Sequence, residues 1–398
     1  MTQSNTSALQ RRWSESIMDT YGVPRVALVR GNGAVVTDAE GKDYLDLLGG
    51  IAVNILGHAH QGVHAAVTAQ LATLGHVSNL YVSTPVVELA EQLVARLGAE
   101  GRVFFGNSGA EANEAAFKIA RRTGRTKIVA AENAFHGRTM GALSLTGQPS
   151  KRMPFEPLVP GVVHVPYGDE AALRAAVDDE TAAVFLEPMM GEAGVVVPPE
   201  GYLVAARRVT EEHGALLILD EVQTGIGRTG WFYAHQASGI VPDVITLAKG
   251  LGGGLPIGAC IATGAAASLM SPGSHGSTFG GNPVCAAAAL AVLRAIEEED
   301  LLSHADGLGK LLCAEIEGLG DPLIDHVRGA GLLLGVVLTE PVAHAAETAA
   351  RNAGFLLNAA QPTVLRLAPP LVITEEQVRT FISAMPAILD AAREEGQQ

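Results

Sequence analysis

Asp220 closes the apolar run Ala215-Leu-Leu-Ile-Leu219, Gln223 follows it in Asp220-Glu-Val-Gln-Thr-Gly225, and Lys249 closes a second run, Asp243-Val-Ile-Thr-Leu-Ala-Lys249. An acid and a lysine at the carboxyl ends of two parallel strands stand where open α/β sheets take their ligands. A lysine amine condenses with an aldehyde, and a carboxylate keeps a pyridine nitrogen protonated so that the ring accepts electrons. That pairing suits pyridoxal phosphate chemistry. Taken singly, an aspartate after a buried strand also serves as a helix cap or salt-bridge partner, and a lone lysine is usually solvated. Lys249, however, runs into Gly250-Leu-Gly-Gly-Gly-Leu-Pro-Ile-Gly258. That segment is too glycine-rich for an ordinary exposed helix and lets backbone approach a ligand closely.

Two further motifs carry candidate chemistry. Asn107-Ser-Gly-Ala-Glu111 follows Val103-Phe-Phe105 and opens a helical run. Small residues at a helix start leave N–H groups free for a phosphate, although Ser108 with Glu111 three residues on also fits a plain capping box. Phe135-His-Gly-Arg-Thr139 sets an aromatic ring, an imidazole and a guanidinium in a turn after a strand. Phe135 suits stacking on a flat ring and Arg138 suits a bidentate grip on a carboxylate. A surface arginine beside a core phenylalanine is the plainer reading.

Other patterns point away from chemistry. Gly225-Ile-Gly-Arg-Thr-Gly230 fits the dinucleotide fingerprint, but its glycines begin several residues past the strand end, and Trp231-Phe-Tyr-Ala-His235 is no small-residue helix start. A nucleotide-linked oxidoreductase would rest on that segment alone. His58-Ala-His-Gln-Gly-Val-His64 lacks acidic or sulfur ligands at metal-site spacing, so no metal is expected.

The elements that must position these residues follow from the patterning. Apolar runs at 127–131, 182–187, 215–220 and 244–247 alternate with amphipathic stretches such as 170–177 and 202–213, which indicates a mostly parallel sheet flanked by helices. This large domain is placed at residues 55–290. Residues 1–54 open with two turns, at Gly31-Asn-Gly33 and at Asp38-Ala-Glu-Gly41, between strand-like runs. Together with residues 291–398 they are expected to build one smaller α+β domain.

The chain has 398 residues and a formal net charge of −15, with no basic run beyond short pairs. Nucleic acid and acidic membranes are therefore poor partners. Met1-Thr-Gln-Ser-Asn-Thr-Ser-Ala-Leu-Gln10 is polar, without the apolar core of a signal peptide, and no stretch reaches bilayer length. Cys260, Cys285 and Cys313 are scattered, which argues against a disulfide framework and for a reducing cytoplasm.

Taken together, Asn107-Ser-Gly-Ala-Glu-Ala-Asn-Glu-Ala115, Phe135-His-Gly-Arg-Thr139, Leu219-Asp-Glu-Val-Gln-Thr-Gly-Ile-Gly-Arg-Thr-Gly230, Ala248-Lys-Gly-Leu-Gly-Gly-Gly-Leu-Pro-Ile-Gly258 and Ser277-Thr-Phe-Gly-Gly-Asn-Pro283 resemble the class III aminotransferases. Within that class, Leu48-Gly-Gly-Ile-Ala-Val-Asn54, Gly57-His-Ala-His60, Gly75-His-Val-Ser-Asn-Leu-Tyr81 and Asn358 with Arg366-Leu-Ala-Pro-Pro370 are most similar to the branch that acts on acetylornithine in arginine biosynthesis.

The resemblance implies an aspartate-aminotransferase-like α/β fold (fold type I), with a mostly parallel seven-stranded sheet and a smaller α+β domain. It implies pyridoxal 5'-phosphate linked to Lys249, which also shuttles a proton between substrate and cofactor. Asp220 would pair with the pyridinium, Gln223 would lie near the 3-hydroxyl, and Phe135 and Val222 would sandwich the ring. Ser108, Gly109 and Ala110 would hold the phosphate, joined by Thr278 of the partner subunit, so a homodimer is implied. Arg138 would bind the substrate α-carboxylate, with Ser277 also on the substrate side. Glu192 and Arg366 would form a switch, paired for a neutral acylated donor and separated for the second carboxylate of 2-oxoglutarate.

Ornithine, succinylornithine, succinyldiaminopimelate and 4-aminobutyrate aminotransferases share the core residues. Gly50-Ile-Ala-Val53, a small apolar wall, favours an acylated donor, N2-acetylornithine first. A non-catalytic binding protein of this fold would need a disabled lysine or aspartate, and both residues are present.

Overall fold

The computed structural model describes residues 5–396; the first four and last two residues of the spans 1–54 and 291–398, with the start of the polar N-terminal segment, lie outside the described residues. The largest sheet has seven strands in the spatial order Gly101–Gly106, Gly258–Thr263, Val244–Leu247, Leu216–Asp220, Thr181–Leu186, Lys127–Ala131, Val162–Val165. Only Gly258–Thr263 runs antiparallel to its neighbours, and the remaining pairs are parallel. Helices cover the sheet, so its strands read as unbroken apolar runs; every residue of Thr181–Leu186 and of Val244–Leu247 is buried.

The parallel register brings the chemistry to one edge. Leu216–Asp220 and Val244–Leu247 pair with Asp220 opposite Thr246, so Lys249 emerges beside the aspartate. Glu187 follows Thr181–Leu186 at the same edge, Phe135 follows Lys127–Ala131, and Ser108 follows Gly101–Gly106.

Two four-stranded sheets adjoin this layer. In the first, Leu28–Asn32, Val35–Asp38 and Asp43–Asp46 form an antiparallel meander, and Phe355–Leu356 adds in parallel with Phe355 opposite Leu45. Segments from both ends of the chain thus share one sheet. The second orders Ile324–Ala330, Leu333–Leu338, Val364–Leu367 and Asn358–Gln361, all antiparallel, with Arg366 opposite Gly335 on one side and Asn358 on the other. Residue 290 lies inside the helix Pro283–Glu298, whose first turn is capped by Asn282 accepting from the Val284 and Cys285 N–H groups. A boundary at residue 290 therefore cuts through a helix.

The glycine-rich 225–230 segment meets no α-helix start; a short 3-10 turn, Ala234–Ser238, follows it. Arg228, fully buried, spends Nη1 on the carbonyls of Leu332, at 3.1 Å, and Pro369. The segment thus ties the large sheet to the turn just beyond Arg366. His58 and His60 go to different carboxylates, Asp46 at 3.1 Å and Glu299 at 3.4 Å.

Candidate active site

A cavity of about 450 Å³ opens at the carboxyl edge of the sheet, lined among others by Ser108, Gly109, Ala110, Phe135, Arg138, Glu192, Asp220, Val222, Gln223 and Lys249. Asp220 is held from three sides. Its Oδ2 accepts from Asn113 Nδ2 at 2.7 Å and His136 Nδ1 at 2.8 Å, while Oδ1 accepts the Val222 N–H at 2.9 Å. His136 is itself buried edge-on against Phe185, with ring centroids 4.8 Å apart. A carboxylate 4% exposed tolerates its burial only with donors of this kind.

Lys249 lies two residues beyond its strand, at a φ of 40°, after Ala248 at φ −165° and ψ −135°. A non-glycine residue held in the left-handed region stores on the order of 1–3 kcal/mol, a cost concentrated at functional sites. Its ammonium has no hydrogen-bond or ion-pair partner among the described residues. Burial pushes its pKa below the ordinary lysine value; Glu192 opposes the shift and Arg366 reinforces it. The neutral amine this favours is the nucleophilic form.

The phosphate-type turn is built by close approach. Ser108 Oγ accepts the Glu111 N–H at 3.2 Å and caps the helix Gly109–Arg121. The expected box is displaced by one residue, because the Glu111 carboxylate reaches back to the N–H of Asn107 rather than to that of Ser108. A Cβ on Gly109 would sit 2.7 Å from Val222 Cγ1, and one on Gly258 would sit 2.2 Å from the Ser108 carbonyl oxygen. Side chains are excluded at both positions, and the helix start stays open to the cavity.

Arg366 does not itself line the cavity. It is buried behind Glu192 and Gln223, where its Nη1 donates to Glu192 Oε1 at 2.6 Å and to Gln223 Oε1 at 3.2 Å, while Nε donates to Asn358 Oδ1 at 3.1 Å. Burial alone would raise the Glu192 carboxyl, but the charge and hydrogen bond of Arg366 outweigh it and the net shift is downward. Arg138 has no hydrogen-bond or ion-pair partner among the described residues; its guanidinium carbon lies 5.6 Å from the Phe135 ring centroid.

Of Gly50 to Val53, only Val53 lines the cavity; Ala52 is buried elsewhere and Ile51 is exposed. Ser277 and Thr278 do not line it either. Ser277 Oγ instead accepts from Asn107 Nδ2 at 3.2 Å, and Thr278 is exposed.

Sequence reasoning missed several residues that build the site. Asn113 and His136 lie inside motifs already singled out. Glu187 ends its apolar run as Asp220 ends its own, a signal that was available. Glu114 lies in the same motif as Asn113, but nothing local announced that it accepts from Thr139 Oγ1 at 2.6 Å and from the Gly141 N–H at 2.8 Å to anchor the turn after Arg138. Nor was there a local signal for Lys151, whose Nζ lies 4.8 Å from the Phe135 ring centroid.

With this geometry in view, the comparisons with known proteins are decisive. Residues 18–389 match the family model described as aminotransferase class-III. The chain belongs to the class III aminotransferases. A relative in Mycolicibacterium smegmatis, named acetylornithine aminotransferase, is 69% identical over 387 residues, covering 97% of this chain and 99% of its own. The crystal structure of acetylornithine aminotransferase from Elizabethkingia anophelis superposes with a TM-score of 0.88 at 36% identity, over 98% of this chain and 100% of the other. An ornithine aminotransferase structure from Toxoplasma gondii, reported with partial occupancy of PLP at its active site, gives a TM-score of 0.94 at 32% identity over 100% and 97% of the two chains.

Class III aminotransferases work with pyridoxal phosphate, and the residues of this aminotransferase fit that group. An unpartnered lysine, a buried carboxylate held by three donors, and a helix start cleared of side chains by Gly109 and Gly258 surround one cavity.

Proposed function

We propose that this aminotransferase moves the terminal amino group of N2-acetyl-L-ornithine to 2-oxoglutarate, yielding N-acetyl-L-glutamate 5-semialdehyde and L-glutamate, a step of arginine biosynthesis. The observation that carries the reading is the Glu192–Arg366 pair, with Glu192 lining the cavity and Arg366 buried behind it, in a cavity where Arg138 remains free. One free cation suits a donor with one carboxylate. A second cation, neutralised by a movable acid, suits an acceptor with two. The high identity to relatives named for acetylornithine supports the same donor.

Pyridoxal phosphate, when bound, supplies an aldehyde that exchanges amines and a ring that takes up electrons. Asp220 would hold the ring nitrogen, Gln223 would lie toward the 3-hydroxyl, and Phe135 and Val222 would flank the ring. Ser108, Gly109 and Ala110 would hold the phosphate. Lys249 Nζ, whose burial favours the neutral amine, would supply the covalent link to the aldehyde and would hold the proton taken from the amine-bearing carbon of the substrate. Arg138 grips the free carboxylate of either substrate, and Arg366 leaves Glu192 only for the second carboxylate of 2-oxoglutarate.

A homodimer completes this site. Leu80, Tyr81, Val82 and Phe279 are exposed, and Asn79 Nδ2 donates to the Gly280 carbonyl at 2.9 Å, which gathers them into one apolar patch beside exposed Thr278. A second copy of the chain covers that patch and receives Thr278 at its phosphate turn. Mixed dimers of Lys249→Ala and Thr278→Ala chains would then regain one intact site each, and no recovery of activity would count against sharing. Free thiols at Cys260, Cys285 and Cys313 fit a cytoplasmic setting. Residues 55–290 act as the large domain, with both ends of the chain forming the smaller one.

The chemical assignment is tested with Lys249→Ala. The variant should lose the visible absorbance of the linked cofactor and all glutamate formation from acetylornithine and 2-oxoglutarate. Retained transfer would refute the assignment.

A further inference from the structure

Glu187 closes the run of Thr181–Leu186 as Asp220 closes its neighbour, and no step above uses it. Its carboxylate is buried and lines the cavity. Oε1 accepts the Phe135 N–H at 3.0 Å and Oε2 accepts the Gly191 N–H at 3.2 Å, while its backbone carbonyl accepts the Tyr167 hydroxyl at 2.8 Å. One carboxylate therefore joins two loops from different strands: the loop of Phe135 and Arg138, and the loop of Glu192. Gly191 is packed so tightly that a Cβ there would sit 2.2 Å from Gln223 Oε1, the same atom that accepts from Arg366 at 3.2 Å.

We propose that Glu187 is a positioning residue of the transfer reaction, which sets the spacing between Arg138 and the Glu192–Arg366 pair by holding Phe135 and Gly191 with its two oxygens. The inference rests on the roles proposed above for those arginines and for Glu192. Only 2-oxoglutarate must span from Arg138 to Arg366, so the spacing governs its fit more than that of the one-carboxylate donor. A buried carboxylate is a costly brace, and here it accepts from both loops at once, which no apolar side chain can do.

Burial pushes the Glu187 carboxyl up to about 7; His136 pulls it back and Asp220 pushes it further. Tyr167, Lys249 and Lys151 are the other titratable groups that face it. Protonation puts a donor where an N–H needs an acceptor, so the tie loosens as pH falls through neutrality.

Glu187→Gln tests this in the holoenzyme, because the amide keeps the shape but can accept only one of the two N–H groups. The half-reactions with acetylornithine and with 2-oxoglutarate, followed separately, should shift unequally, with about a tenfold change in the ratio of their kcat/KM values. The visible band of the bound cofactor should persist, and the wild-type change of that ratio around neutral pH should vanish. A variant with the wild-type ratio and pH profile overturns the proposal, whatever happens to its Tm. Should the variant not fold, a wild-type ratio that stays flat across neutral pH overturns it equally. An enzyme inert toward acetylornithine refutes the donor assignment instead, and Glu187 is then judged on KM against kcat for 2-oxoglutarate.

Discussion

Arg366 Nη1 lies 2.6 Å from Glu192 Oε1 and 3.2 Å from Gln223 Oε1, so one nitrogen of a buried guanidinium is shared between an acid and an amide wedged beneath Gly191. Only the acid carries charge, and it sits on a loop held by hydrogen bonds rather than inside a strand. Gln361 Nε2 donates to the Glu192 carbonyl at 3.2 Å, and Arg328 Nη2 donates to the Gly194 carbonyl at 2.9 Å. Those bonds tie down the loop's backbone, and the proposed switch needs only the Glu192 side chain to move.

Opposite outcomes are expected for the two partners of that pair. Arg366→Met should lower kcat/KM for 2-oxoglutarate by roughly a hundredfold, the usual loss for a buried charge contact to a carboxylate, and should spare the acetylornithine half-reaction more. Glu192→Gln leaves Arg366 uncompensated. It should lower KM for 2-oxoglutarate while slowing the half-reaction with the neutral-tailed donor. Stopped-flow measurement of each half-reaction reads both.

Gly258→Ala should weaken cofactor retention without removing any polar side chain of the site. The new methyl would press on the Ser108 backbone carbonyl at 2.2 Å, and a backbone atom cannot rotate away. The apparent Kd for pyridoxal phosphate, titrated by absorbance, should rise at least about tenfold, while a similar alanine at exposed Gly318, where a Cβ meets nothing within 4 Å, should leave it unchanged.

Acid should destabilise the fold through His164. Its Nδ1 accepts from Arg152 Nη1 at 3.1 Å and its Nε2–H donates to the Leu145 carbonyl at 3.1 Å, an arrangement that requires the neutral ring. Burial first, and the Arg152 charge second, pull its pKa from 6.5 to about 4. The unfolded chain then takes up a proton below 6.5 that the folded chain refuses until about 4, so stability falls as pH drops through that window. The loss should be on the order of 1–2 kcal/mol by about pH 5, after a discount for partial exposure. Urea unfolding of wild type and His164→Gln at both ends of the window checks it; the variant should lack this part of the slope.

Much of the site was legible because its residues close apolar runs. Asp220 and the strand before Lys249 were visible for that reason, and the Ser108 cap had its acid three residues on. What stayed hidden depended on contacts across the sheet. Asn113, His136 and Asp220 meet only through the register of separate strands, and Glu187 looked like the last residue of a run until Phe135 and Gly191 were placed on it. The boundary read at residue 290 failed to coincide with an element end because the alanine-rich helix Pro283–Glu298 runs through it. The left-handed backbone of Lys249 gave no sign either, since lysine carries no preference for that conformation.

The central claim is that one cavity serves a donor with a neutral acylated tail and a dicarboxylate acceptor. Its most direct test is a comparison of kcat/KM for N2-acetylornithine, succinylornithine, succinyldiaminopimelate and free ornithine with the purified holoenzyme and 2-oxoglutarate. N2-acetylornithine should lead, with free ornithine well behind it, because an unacylated α-amine brings a further cation toward Glu192, which is already paired with Arg366. A clear preference for free ornithine would contradict the claim.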